Sequence, residues 1–85
     1  MENNAALDKI KAEVARLLGE ERTRQGLSMN RLAEKAGLSQ SLVSSFEKTP
    51  WNPTLGTLLR IASVLEVNLG DVISQAIKNV SAVRK

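Results

Sequence analysis

The stretch AEKAGLSQSLVSSFEK, Ala33 to Lys48, sets a glycine between two short helical patterns, then supplies Ser39, Ser41, Ser44 and Ser45 where stronger helix formers would be expected. Before Gly37, the residues Leu32, Ala33 and Ala36 share one helix face. After it, Ser39 is placed to cap a second helix, running to about Lys48, in which Val43 and Phe46 point inward. Two short helices cross steeply only when the turn adopts a left-handed backbone and the helices approach closely. That calls for glycine at the turn and a small residue on the first helix. Gly37 and Ala33 meet these needs, and Leu32, Ala36, Leu38, Val43 and Phe46 fill the positions that must be apolar for a shared core. The joint pattern over residues 29–48 predicts a helix-turn-helix unit; the plainer alternative is two helices of an all-α domain that simply meet here.

Outward from this unit the helical period continues, with no alternating stretch long enough for a strand. Between Ala5 and Gln25, the residues Leu7, Ile10, Val14, Leu17 and Leu18 recur at three and four residues, opposite Asp8, Lys9, Lys11, Glu13 and Arg16, and Gly26 closes this first helix. Ser28 caps the second helix and Ser39 the third, while Pro50 and Pro53 make TPWNP a loop. Thr54 caps a fourth helix, whose expected buried stripe is Leu55, Leu58, Leu59, Ala62 and Leu65. Asn68, with Asp71 three residues on, opens a fifth along Leu69, Val72, Ile73, Ala76, Ile77 and Val80. The expectation is an all-α, five-helix domain.

Eighty-five residues make one domain, 1–85, with a core over about residues 5–80 and a frayed tail at 81–85. The chain is 42% hydrophobic and 25% charged, the balance of an ordinary globular protein. No apolar run approaches the roughly 18 residues of a membrane span, and MENNAALDK lacks a cationic-then-apolar signal, so a cytoplasmic location without a membrane partner is expected. Without cysteine or histidine the chain has no thiolate, no usual proton shuttle and no commonest metal ligand. The adjacent Glu20 and Glu21 cannot converge on one helix face, so neither an enzyme nor a cofactor is expected. A net charge of +3 and a pI near 9.7 permit a polyanionic partner without requiring one.

From Leu18 to Val67, through LGEERTRQGLSMNRLAEKAGLSQSLVSSFEK and then NPTLGTLLRIASVLEV, the chain resembles the Xre family, the helix-turn-helix proteins of the phage Cro and repressor type. The resemblance implies a five-helix, repressor-like domain that docks its third helix into the major groove of double-stranded DNA, usually as a homodimer on an inverted repeat. It also implies an ion pair between Arg22 of the first helix and Glu47 at the end of the third. The chain departs from the family pattern at Met29, where glutamine is frequent, and at Thr49, where glycine is usual.

At about 100° per residue, Val43, Phe46 and Glu47 occupy one side of the third helix, leaving Ser41, Ser45 and Lys48 opposite and Ser44 on the flank. Gln40 projects from the leading turn, the end that enters the groove in this motif. Glutamine pairs bidentately with adenine, and serine serves nearly any base edge or phosphate. Gln40, Ser41, Ser45 and, marginally, Ser44 are therefore the candidate base contacts, and the resemblance carries base contacts onto the first three. Leu42 either touches a thymine methyl or covers the loop.

Phosphate contacts are expected where helix N-termini present N–H groups, at Ser28, Met29 and Asn30 and at Thr54, with Arg31, Lys35 and Lys48 adding charge. Trp51 either lies on the phosphate-sugar surface or caps the core. On the fifth helix, Val72, Ala76, Ile77 and Val80 are the expected dimer contact, against the alternative that the N-terminal extension of the first helix covers them within the monomer. A protein-interaction module that has lost DNA binding, an antitoxin whose second partner is a toxin, and a restriction-modification controller are the alternatives to a simple transcriptional regulator.

Overall fold

The computed structural model describes residues 4–48 and 53–83, and within them the chain is helical throughout, without strands. The elements are α1 (Asn4–Arg24), α2 (Met29–Ala36), α3 (Gln40–Lys48), α4 (Leu55–Leu65) and α5 (Leu69–Val83). Four side chains start helices by accepting from an amide three residues on. Ser28 Oγ takes the Arg31 N–H at 3.1 Å, Ser39 Oγ the Leu42 N–H at 3.1 Å, Thr54 Oγ1 the Thr57 N–H at 3.1 Å, and Asn68 Oδ1 the Asp71 N–H at 3.0 Å. Gly26 and Gly37 follow α1 and α2 with left-handed φ of 69° and 72°. The stop of α4 lacks such a signal, because the left-handed residue there is Glu66, at φ 59°. Its strain is offset by the closing bonds from Glu66 N–H to Ser63 O at 3.1 Å and from Val67 N–H to Ala62 O at 3.0 Å.

Every helix contributes to one core: Val14, Ala15 and Leu18 from α1, Leu32, Ala33 and Ala36 from α2, Val43 and Phe46 from α3, Ile61, Ala62 and Leu65 from α4, and Leu69 and Ala76 from α5. The expected stripe of α4 is corrected here. Leu55 and Leu59 are 63% and 51% exposed, and Ile61 lies inside instead. Packing against α2 centres the buried face on Leu58, Ile61, Ala62 and Leu65, which turns Leu55 and Leu59 out by the helical rotation alone. Leu7 is likewise exposed, because it lies beyond the end of the core.

Helix α1 runs antiparallel to α5. Asn79 Nδ2 donates to Glu13 Oε2 at 2.7 Å, and at the other end Leu17, Glu21 and Arg24 line a cleft with Val67, Asp71 and Gln75. Ala76 is completely buried by this packing, so of the four residues expected at a dimer contact it is unavailable. Val72 and Val80 are half-buried, and Ile77 is exposed. Residues 81–83, expected in a frayed tail, extend α5. Thr49, Pro50, Trp51, Arg84 and Lys85 lie outside the described residues.

Candidate nucleic-acid interface

The turn between α2 and α3 is held from three directions. Left-handed Gly37 lets Leu38 N–H reach Ala33 O at 2.8 Å and Gly37 N–H reach Glu34 O at 3.3 Å. Arg60 of α4 adds a bond from Nη1 to Ala36 O at 3.2 Å, capping the last carbonyls of α2 with a positive charge. The same Nη1 stands 3.1 Å from where a Cβ on Gly37 would be, so the position excludes side chains by backbone and by contact alike.

The far end of α3 is tied to α1. Arg22 Nε donates to Glu47 Oε2 at 2.8 Å and Nη2 to Oε1 at 3.1 Å, while Nη1 donates to Leu27 O at 2.6 Å. Both side chains are largely shielded, at 15% and 13% exposure, so this two-bond pair works in a low dielectric and fixes the direction of α3.

With Val43 and Phe46 buried and Glu47 occupied, Gln40, Ser41, Ser45 and Lys48 of α3 are exposed and Ser44 and Leu42 half-buried. Ser28, Asn30 and Arg31 are exposed at the start of α2, and the amides of Met29 and Asn30 belong to a first turn that has no intrahelical acceptors. The side chain of Met29 packs against the core, so only its backbone can meet an anion. Thr54 and Gly56 are exposed at the start of α4. Lys35 is placed differently from Arg31: it lines a groove with Leu59, Arg60 and Ser63 at the opposite end of α2.

Ion pairs link the charges of α1 to one another and to α3. On its flank toward α5, Arg16 and Asn79 donate to Glu13 and hold its carboxyl below the ordinary glutamate range, Arg16 being the stronger influence. Arg16 also reaches Glu20 at 2.7 Å. On the side toward α3, Arg22 pairs with Glu47, and Arg31 at the start of α2 and Lys48 at the end of α3 are exposed cations.

Three structural anchors carry no local sequence signal. Arg60 caps an element 24 residues away, Gln25 Nε2 reaches Leu65 O at 2.8 Å, and Asn79 reaches Glu13. Each polar group looks like an ordinary solvated residue until the fold brings its acceptor near. Among the described residues no group of acidic side chains could hold a metal ion, and no helix is long and apolar enough to cross a membrane.

A family model described as Helix-turn-helix matches residues 18–72. Over 58 residues, 68% of this chain and 31% of the relative, the sequence is 36% identical to the HTH-type transcriptional regulator PuuR of Escherichia coli (strain K12). Over 48 residues, 56% of this chain and 54% of the relative, it is 38% identical to Antitoxin HipB of the same organism. The N-terminal DNA binding domain of SinR from Bacillus subtilis superimposes with a TM-score of 0.67 and 30% identity, covering 73% of this chain and 91% of that one. The chain thus spans under a third of PuuR and about half of HipB. These relatives are named as regulators, an antitoxin and a DNA-binding domain, none as an enzyme.

Proposed function

This chain belongs to the Xre-type helix-turn-helix family, and from that premise we propose that it binds double-stranded DNA sequence-specifically in the cytoplasm as a transcriptional regulator. The carrying observation is α3 itself. The turn that leads into it is held by Gly37 and by Arg60 on the end of α2, its far end is held by Arg22, and it turns Gln40, Ser41 and Ser45 outward from a buried Val43 and Phe46. Small hydroxyl side chains let such a helix sit deep in the major groove, with Gln40 choosing the base and Ser44 at the margin. The starts of α2, at Ser28 to Arg31, and of α4, at Thr54, fit the backbone on either side, with Lys48 adding charge. Lys35 serves only the outer margin of such a footprint, given its place beside Arg60.

The apolar surface left on α5 supports a homodimer on an inverted repeat. Ile77 and Val80 form its centre and Val72 its edge, and the spacing between reading helices would be about one DNA turn, roughly 34 Å. The likeness to HipB favours one variant, an antitoxin that also holds a toxin chain.

Fluorescence anisotropy of labelled duplexes selected from a random pool tests the reading. Log affinity is expected to fall steeply and linearly with log salt. Failure to bind any selected duplex at about 50 mM salt would overturn it in favour of a protein-interaction module.

A further inference from the structure

Leu42 stands at the third position of α3, half-buried, between the exposed Ser41 and the exposed Ser45. Half-buried apolar residues elsewhere in the motif and around it, including Met29, Leu38 and Leu58, pack against the core, and among the described residues Leu42 is not one of these. At about 100° per residue it borders the serine face on the flank away from Ser44. One turn on it has two neighbours, Phe46, whose ring is buried in the core, and Ser45, too small to cover the outer side of a leucine. The Leu42 amide is fixed by its bond to Ser39 Oγ at 3.1 Å, so the side chain springs from a rigid first turn, two residues after Gln40. A leucine there offers no hydrogen bond. Of the groups that base pairs display in the major groove, the thymine C5-methyl is the apolar one that projects far enough to pack against a side chain.

We propose that Leu42 is a specificity residue, making an apolar contact with a thymine methyl beside the base read by Gln40. The inference rests on the DNA-binding reading above and adds to it the content of the site: a thymine in each half-site that glutamine alone would not require.

The test is a set of duplexes recovered by selection from random DNA, in which each thymine in turn is replaced by 2′-deoxyuridine, which lacks only that methyl. For the unaltered protein, one replacement per half-site is expected to lower affinity about three- to fivefold, the worth of one buried methyl group. For Leu42→Ala the same replacement is expected to have no effect, while Leu42→Met, which keeps an apolar tip, retains the preference. The circular dichroism spectrum of Leu42→Ala should keep the helical content of the unaltered protein, with at most a modest drop in melting temperature, because the side chain is only half-buried. Should Leu42→Ala melt early, Leu42→Gln takes its place in the same comparison. Binding in which every thymine tolerates the replacement, or in which Leu42→Ala loses affinity equally on thymine and uracil duplexes, overturns this inference alone. Absence of binding to any duplex overturns the DNA-binding reading with it.

Discussion

Arg22 of α1 and Glu47 of α3, 25 residues apart, meet through two bonds of 2.8 and 3.1 Å, and the third guanidinium nitrogen is taken by the Leu27 carbonyl. Removing one partner strands the other in a shielded place, which costs more than the pair contributes. Arg22→Ala is expected to destabilise by about 2–4 kcal/mol in urea unfolding, and the double variant Arg22→Met with Glu47→Leu to recover a large part of that loss. Equal destabilisation in single and double variants would contradict the expectation.

Gly26 and Gly37 share a left-handed φ, 69° and 72°, but differ in surroundings. Space around Gly26 is open, whereas the Arg60 guanidinium crowds Gly37 at 3.1 Å. Gly26→Ala should cost about 1–2 kcal/mol from backbone strain alone. Gly37→Ala should cost more, and the difference between the two should vanish in an Arg60→Ala background. Thermal melts of the five variants check this.

Acid should weaken the α1–α5 junction. Hydrogen bonds from Arg16 and then Asn79 hold the Glu13 carboxyl below its ordinary value of 4.5, so it binds a proton more readily in the unfolded chain than in the folded one. The resulting stabilisation is complete above that ordinary value and is lost as the pH falls through the lower folded value. Melting temperature between about pH 2 and 7 is expected to fall less steeply for Glu13→Gln than for the unaltered protein.

Gln40 and the nearby cations are expected to fail differently. Gln40→Ala should weaken binding to the selected site by about 1–3 kcal/mol and relax preference at one base pair, whereas Arg31→Ala and Lys48→Ala should weaken all sequences alike and lower the salt slope by about 1 each. An equal loss on specific and random duplexes would reassign Gln40 to the backbone.

Ile77→Asp tests the contact between copies. Light scattering at tens of micromolar is expected to show a dimer for the unaltered chain and a monomer for the variant, both with the same helical circular dichroism. A monomer before substitution would remove the dimer from the reading.

Helix starts were legible in the sequence because each is a local event: Ser28, Ser39, Thr54 and Asn68 need only an amide three residues away. The outward face of α3 was legible for the same reason, since Val43 and Phe46 fix its rotation. Burial on α4 was not. Its leucines and Ile61 fit more than one apolar stripe, and only the position of α2 decides that Leu55 and Leu59 face solvent. Ala76 illustrates the opposite limit, a small residue on a plausible contact stripe that α1 covers entirely. Arg60, Gln25 and Asn79 act on carbonyl or carboxylate groups 24, 40 and 66 residues away, beyond any periodicity.

The Glu13–Asn79 bond also has a meaning in time. On a ribosome the two residues emerge 66 positions apart, so α1 is made first and waits for α5, while the backbone bonds of the α2–α3 turn join residues no more than five apart and Arg60 of α4 follows soon after. A chain halted before α5 therefore carries the turn but lacks the helix that packs along α1. Such a fragment is expected to be cleaved by proteases faster than the five-helix domain.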